Sequence, residues 1–156
     1  MDVKQLYQDI ILEHGKSPRN IGKCEGYNHD AKGYNPLCGD KIHVYLKLDS
    51  ENKVESLTFE GEGCAISLAS ASIMTELVKG KPFKEAKEIM NVFMNMIKSN
   101  SEVQSDLLND EQKIKLMSLS GVKKFPMRVK CATLSWHTLS SALEGNKKEV
   151  NSEVTD

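Results

Sequence analysis

The chain has 156 residues, 39% of them hydrophobic, which suits one compact domain with its own core. Its 21 Lys and Arg residues nearly balance 22 Asp and Glu residues, so net charge gives no reason to expect a nucleic acid or an anionic membrane as partner. The N-terminus lacks the apolar core of a signal peptide, and no later stretch approaches membrane-spanning length. We therefore expect a cytoplasmic protein with four reduced cysteines, which favours metal binding or thiol chemistry over disulfides.

The first half of the chain predicts a helix followed by a β-hairpin. Apolar residues at helical spacing over residues 3–11 predict an amphipathic helix that ends near Gly15. Strict alternation of apolar and polar residues over 41–49 predicts a half-buried strand. After the polar run DSENK, the segment VESLTFEGEG directs Leu57 and Phe59 inward, so we expect it to pair antiparallel with the first strand.

The second half of the chain is predicted to be helical. One helix follows Gly63, because apolar residues recur on a single stripe at Ile66, Ala69, Ile73 and Leu77. Another is predicted over roughly residues 83–98, followed by the polar connector SNSEVQSD and a short helix over residues 110–117. The sequence thus predicts an α+β fold in which a small antiparallel β-sheet is packed by helices.

The C-terminal part is predicted to contain a loop, a last helix and a tail. SLSGVKKFPMR is interpreted as a loop, and the last helix is expected to begin near Cys131. Residues 146–156 are highly charged, so we expect a disordered tail after a single domain that comprises residues 1–145.

Three thiols and one carboxylate lie at the boundaries of the predicted elements. Cys38 and Asp40 belong to NPLCGD, a turn that Pro and Gly constrain just before a strand. Cys64 follows GEG at the start of a helix, and Cys131 is expected to open the last helix, where the helix dipole favours thiolate over thiol. Soft thiolates with one hard oxygen ligand suit tetrahedral zinc, and the same thiolates can hold iron or accept sulfur.

A structural interpretation of these residues stands beside the functional one. No CxxC pair is present, a single cysteine is often just a small buried hydrophobe, and Asp40 after a glycine is often a turn residue. The convergence of several such positions at element boundaries favours a functional site. Cys24 is interpreted as an incidental thiol, and no site role is assigned to the four histidines, which are His14, His29, His43 and His137.

The motifs NPLCGD, GEGCAIS and RVKCATLSW, in this order, resemble the U-type (IscU/NifU N-terminal-like) iron–sulfur cluster assembly family. The opening LYQDIILEHGKSPRNIG also resembles its N-terminal motif, so the resemblance covers nearly the whole chain before the tail. The family contains scaffolds that build a cluster and SufU-type proteins that carry sulfur and bind zinc. Lys130 stands where scaffolds usually have histidine, FPMRVK replaces an LPPVK-like stretch, and a helical segment around residues 99–121 resembles the SufU-type insertion.

The SufU-type resemblance implies a site, a reaction and partners. Zn²⁺ would be held by four residues, which are Cys38, Asp40, Cys64 and Cys131. A histidine of a PLP-dependent, SufS-type cysteine desulfurase would replace Cys38 on the metal, and Cys38 would then accept the persulfide sulfur. The chain would act as a zinc-dependent sulfurtransferase that supplies downstream iron–sulfur scaffold or recipient proteins. Arg128 is a candidate for orienting the site or contacting the desulfurase.

Two other functions remain open at this point. In one, the same four residues hold a [2Fe–2S] cluster or iron, and the protein is a scaffold that passes the cluster to apo-proteins. In the other, zinc stabilises an interaction module that has no transfer chemistry.

Overall fold

The computed structural model of the chain describes residues 2–99, 103–145 and 149–152. Its helices and strands follow in chain order as α1 (Val3–Lys16), β1 (His29–Asn35), β2 (Asp40–Leu48), β3 (Val54–Glu62), α2 (Ala65–Val78), α3 (Phe83–Ser99), α4 (Asp110–Met117), a 3₁₀ helix (Ser118–Lys124), α5 (Pro126–Leu143) and β4 (Val150–Asn151). The strands form one sheet in the order β3-β2-β1-β4, and α5 packs against β1 and β2. The predicted α+β class is confirmed.

The predicted hairpin is formed by β2 and β3. The two strands pair antiparallel, with Val44 opposite Phe59 and Leu46 opposite Leu57, and all four side chains are fully buried. An irregularity follows Lys47, where the register shifts by one residue. Alternation of side chains therefore places the apolar set on the helix-covered face, as the sequence pattern indicates.

A third strand, β1, was not predicted, and it pairs antiparallel with β2 along its whole length. Its sequence HDAKGYN is poor in the β-branched and aromatic residues that signal a strand. Its inward residues Ala31, Gly33 and Asn35 are small or polar because α5 lies very close. A Cβ at Gly33 would stand 2.2 Å from Thr138 Oγ1, so the space between β1 and α5 is too small for a side chain at this position.

The predicted loop over residues 118–128 is wrong. The structure has a 3₁₀ helix there, and α5 begins at Pro126, whose fixed φ suits the first helical position. Cys131 therefore lies in the second turn of α5 rather than at its start. Of the helical segment expected around residues 99–121, the structure has α4 and the 3₁₀ helix, which contact α1 and α2. Residues 103–109 are not helical, and residues 100–102 lie outside the described residues.

The tail expected to be disordered over residues 146–156 contains an ordered strand where the structure describes it. β4 pairs parallel to β1, with Val150 opposite Gly33, and Val150 packs against the core. The Ser152 amide donates to the Tyr34 carbonyl oxygen at 3.0 Å. Residues 146–148 and 153–156 of this prediction lie outside the described residues. Within the described ranges, no helix has the length and apolar content needed to cross a membrane.

Candidate metal centre

The turn between β1 and β2 positions the first two candidate ligands. It is closed by a hydrogen bond from the Gly39 amide to the Asn35 carbonyl oxygen at 2.8 Å, and Gly39 has a φ of +72° that favours glycine. Cys38 lies within the turn and is partly exposed, whereas Asp40 begins β2 and is fully buried. One short connection thus presents a thiol to solvent and a carboxylate to the interior.

The Asp40 carboxylate accepts hydrogen bonds from two sides. Its Oδ1 accepts from the Cys64 amide at 3.0 Å, and its Oδ2 accepts from Asn35 Nδ2 at 3.1 Å. A buried carboxylate without such donors, or without a cation, is strongly unfavourable. The remaining lone pairs are free to bind a metal ion because each oxygen can accept more than one partner.

Cys38, Asp40 and Cys131 come together although the sequence separates them widely. One ligand atom from each lies within 4.8 Å of the other two, and the sulfurs of Cys38 and Cys131 are 3.5 Å apart. Two thiolates on a tetrahedral zinc, each at about 2.3 Å, are about 3.8 Å apart, whereas bonded sulfurs are about 2.05 Å apart. The sulfur separation therefore excludes a disulfide and is near that of two thiolates on one tetrahedral metal ion.

Cys64 is joined to this cluster through its backbone. It is the N-cap of α2, and its Sγ accepts a hydrogen bond from the Ser67 amide at 3.4 Å. Its sulfur is therefore outside the group formed by the other three ligand atoms. The predicted position at a helix start is confirmed, and the Cys64 sulfur would have to move closer to the other three ligand atoms to become a fourth ligand.

Cys131 lies in a different electrostatic environment from the one expected. Its thiol is fully buried, and burial raises its pKa, with further contributions from hydrogen bonds to Asp40 and Cys38 and from the charge of Cys64. The expected stabilisation of a thiolate by the helix N-terminus is wrong, because this residue is in the second turn. A coordinated cation reverses this preference, since a metal-bound thiol is deprotonated.

Arg128 lies beside the thiols, on the first turn of α5. The pKa of its guanidinium is raised because it hydrogen-bonds to Cys131 and faces the sulfurs of Cys64 and Cys38. Its side chain is exposed at the surface. Arg128 therefore adds a solvent-facing positive charge at the edge of the cluster.

Three further residues shape the site, and sequence reasoning did not assign them a role. Asn35 and Gly63 belong to the motifs NPLCGD and GEGCAIS, so their positions carried a signal. At Gly63 a Cβ would stand 2.2 Å from Asp40 Oδ1. Ser152, whose hydroxyl donates to Asn35 Oδ1 at 2.9 Å, had no sequence signal because it lies in the charged tail.

Residues 6–151 match the family model described as the NifU-like N terminal domain. The chain belongs to this family. It is 42% identical over 138 residues to the zinc-dependent sulfurtransferase SufU of Bacillus subtilis, covering 88% of this chain and 89% of that protein. It is 36% identical over 155 residues to the iron–sulfur cluster assembly scaffold protein IscU of Streptococcus pyogenes, covering 99% of this chain and 91% of that protein.

Two solved structures have the same fold. A putative iron–sulfur cluster assembly scaffold protein for the SUF system from Fervidobacterium islandicum is 36% identical, with a TM-score of 0.77 over 89% of this chain and 97% of that one. The N-terminal part of a NifU-like protein from Brucella abortus, 22% identical, has a TM-score of 0.78, with 92% and 96% covered, and supports the fold alone. The expected resemblance to the U-type family is confirmed, and the chain stands among the proteins of iron–sulfur cluster assembly.

Proposed function

We propose that this chain is a zinc-dependent sulfur carrier, which accepts persulfide sulfur from a SufS-type cysteine desulfurase for iron–sulfur cluster assembly. The observation that carries the proposal is the asymmetry of the cluster: Cys38 is partly exposed on a turn, while Asp40 and Cys131 are buried within ligand distance of it. A carrier needs one accessible thiol beside fixed ligands. The 42% identity to a zinc-dependent sulfurtransferase supports the same assignment.

Zn²⁺ suits the donor set formed by Cys38, Asp40, Cys64 and Cys131. Three sulfurs and one carboxylate oxygen give a four-coordinate ligand set, and the 3.5 Å between two of the sulfurs is near the tetrahedral value of about 3.8 Å. The ion would supply a redox-inert positive charge that keeps the thiols deprotonated. The Asn35 amide and the Cys64 backbone amide hold the carboxylate in place for it.

The transfer step requires Cys38 as a free thiolate, so Cys38 would have to be released from a bound ion when the desulfurase binds. The family resemblance implies that a histidine of the desulfurase takes its place. The Cys38 thiolate then attacks the outer sulfur of the persulfide on the desulfurase cysteine. The sulfur–sulfur bond of the donor breaks, a new one forms on Cys38, and the desulfurase cysteine leaves as a thiolate, so no external oxidant or reductant is needed.

The surface next to Cys38 and Arg128 is our candidate for the desulfurase contact. Three large apolar side chains near these residues in sequence are exposed, namely Leu37 at 54%, Phe125 at 59% and Met127 at 52%. Exposed apolar side chains beside an arginine match the composition of protein interfaces, in which aromatic residues, Met and Arg are enriched. Docking there would bring the persulfide to the only cysteine on the turn.

The acceptor assignment is tested with a Cys38→Ala variant and a matched Cys24→Ala control. We expect C38A to abolish the stimulation of sulfide release by a SufS-type desulfurase in the presence of a reductant. C24A should retain it, because Cys24 is a partly exposed free thiol outside the cluster. Full stimulation by C38A would refute the acceptor role, and bound zinc measured on both variants would separate transfer from metal binding.

A scaffold function is the second candidate, and the 36% identity to a scaffold protein over nearly the whole chain favours it. The same thiolates and carboxylate are suitable ligands for a [2Fe–2S] cluster. Metal analysis and a visible spectrum of protein purified without oxygen distinguish the two functions. Stoichiometric zinc without cluster absorption supports the carrier, whereas a stable iron–sulfur chromophore supports the scaffold.

A further inference from the structure

We propose that Asn35 and Ser152 are positioning residues of the metal centre, through which the C-terminal strand β4 fixes the orientation of two of its ligands. The inference rests on the proposed metal site, and it assigns a role to a chain end whose composition predicts disorder.

Asn35 contacts two ligands with a single side-chain nitrogen. Its Nδ2 donates to Asp40 Oδ2 at 3.1 Å and to Cys131 Sγ at 3.5 Å. An amide nitrogen has two hydrogens, so both bonds can be made at once. Both acceptors are anionic when they bind a metal ion, and hydrogen bonds to charged acceptors are the stronger ones. Asn35 therefore links the start of β2 to the second turn of α5 at the site.

Ser152 completes the hydrogen bonding of Asn35 on its other side. Its hydroxyl donates to Asn35 Oδ1 at 2.9 Å across 117 positions of sequence. Asn35 is 0% exposed and Ser152 is 2% exposed, so water does not replace this bond easily. A buried amide oxygen without a donor is costly, and the serine thus favours the orientation in which the nitrogen faces the ligands.

β4 places this serine through backbone pairing. Val150 and Asn151 lie parallel to Gly33 and Tyr34 of β1, and the Ser152 amide donates to the Tyr34 carbonyl oxygen at 3.0 Å. β1 ends one residue later, at Asn35, so the serine arrives beside the amide as the two strands end together. The strand is only two residues long, and its pairing with β1 is therefore a limited contact that the Ser152 hydroxyl extends to the site.

Coupling between β4 and the metal follows by reciprocity. If pairing of β4 strengthens metal binding through Asn35, then metal binding must strengthen pairing of β4 by the same factor. Residues that orient metal ligands typically contribute roughly 10- to 100-fold to metal affinity. The hydroxyl of Ser152 acts one bond further away, so we expect roughly 3- to 10-fold from it, the range of one neutral hydrogen bond.

The test compares Ser152→Ala with a matched Ser141→Ala control in the full chain. Ser141 is a buried serine of α5 whose hydroxyl has no hydrogen-bond partner among the described residues. Zn²⁺ affinity is measured by competition with a chromophoric chelator. We expect S152A to weaken it roughly 3- to 10-fold and S141A to leave it unchanged. Equal affinities of the two variants would overturn the positioning role of Ser152.

A double-variant cycle shows whether Ser152 acts through Asn35. Asn35→Ala should weaken Zn²⁺ binding roughly 10- to 100-fold, and adding S152A to N35A should have no further effect. An undiminished effect of S152A in the N35A background would overturn the pathway. If N35A does not fold, amide hydrogen exchange tests the coupling between β4 and the metal instead. Zn²⁺ should slow exchange at the amides of Asn151 and Ser152 in the unsubstituted protein, and it should slow exchange at these amides less in S152A. Equal slowing in both proteins would refute the coupling.

These outcomes separate this inference from the proposed function. An unsubstituted protein that binds no Zn²⁺ overturns both proposals. Normal Zn²⁺ binding with no effect of S152A overturns only the positioning role. Full stimulation of the desulfurase by C38A overturns only the acceptor role of Cys38 and leaves the Zn²⁺ competition results standing.

Discussion

Replacing Gly63 by alanine is predicted to disturb the carboxylate at the centre of the site. Gly63 has a φ of +153°, and a Cβ built there would stand 2.2 Å from Oδ1 and 3.0 Å from Cγ of Asp40. Asp40 is fully buried and bonded on both sides, so its carboxylate has little room to withdraw. The substitution therefore acts on both the backbone and a candidate ligand.

The expected magnitude follows from these two effects. The carboxylate oxygen must move by about 1 Å to reach ordinary contact, which breaks its bond to the Cys64 amide, and overpacking of this kind costs about 1–3 kcal/mol. Alanine at a positive φ costs about 1–2 kcal/mol more. We therefore expect G63A to lower the free energy of unfolding of the metal-free protein by about 2–5 kcal/mol.

Chemical denaturation in the presence of a chelator measures this change, and two other glycines provide controls. Gly80 has a φ of +86° with open space around it, so G80A should show only the backbone effect of about 1–2 kcal/mol. Gly121 has open space and no positive φ, so G121A should be within about 0.5 kcal/mol of the unsubstituted protein.

Equal destabilisation by G63A and G80A would refute the argument, because it would show that the contact with Asp40 adds nothing. The same variants should also differ in Zn²⁺ binding. G63A should also weaken Zn²⁺ binding, while G80A should leave it unchanged, since Gly80 follows α2 at the end opposite to Cys64.

Three further predictions concern titration and charge. Burial lowers the pKa of His14 below its ordinary 6.5. The unfolded state therefore binds a proton at higher pH than the folded state, and the free energy of unfolding should fall as pH falls below about 6.5. His14→Gln should flatten this pH dependence in denaturation experiments at a series of acidic pH values, and an unchanged pH dependence would contradict the prediction. Arg128→Ala should slow desulfurase-stimulated sulfide release roughly 2- to 5-fold, which corresponds to the free energy of one exposed charge interaction. Lys124→Ala is the control, and an equal effect of both variants would argue against a specific role of Arg128. In metal-free protein at pH 8, Cys131 should be the slowest cysteine to alkylate, because its thiol is buried and has a raised pKa. Alkylation is followed by mass spectrometry, and reaction of Cys131 as fast as that of Cys24 would disprove the prediction.

Local sequence patterns predicted the elements that have strong periodicity. Apolar spacing predicts the α1 helix, the β2–β3 hairpin, α2 and α3, because apolar side chains recur on one face of each of these elements. The sequence pattern does not predict β1, because its buried residues are small or polar. These residues are small because α5 packs very close to the strand. The α5 helix begins at Pro126, before the start near Cys131 that the sequence predicts, because proline is favoured in the first helical turn.

The candidate site was found from motifs, but its internal organisation was not. Sequence placed Cys38, Asp40, Cys64 and Cys131 at element boundaries, and the resemblance implied one metal for all four. The structure groups three of their ligand atoms and gives the Cys64 sulfur a capping role at α2. Which thiol is accessible and which is buried depends on contacts that no spacing encodes.

The sequence by itself determined the family, the fold class and the residue types available for metal and sulfur chemistry, because motifs and periodicity are local properties of the chain. The tertiary structure decided how these residues differ from one another. Burial raises the pKa of Cys131, Asn35 bridges it to Asp40, and Ser152 reaches Asn35 from the chain end. These relations join residues 96 and 117 positions apart, so they exist only after the sheet and α5 have packed together.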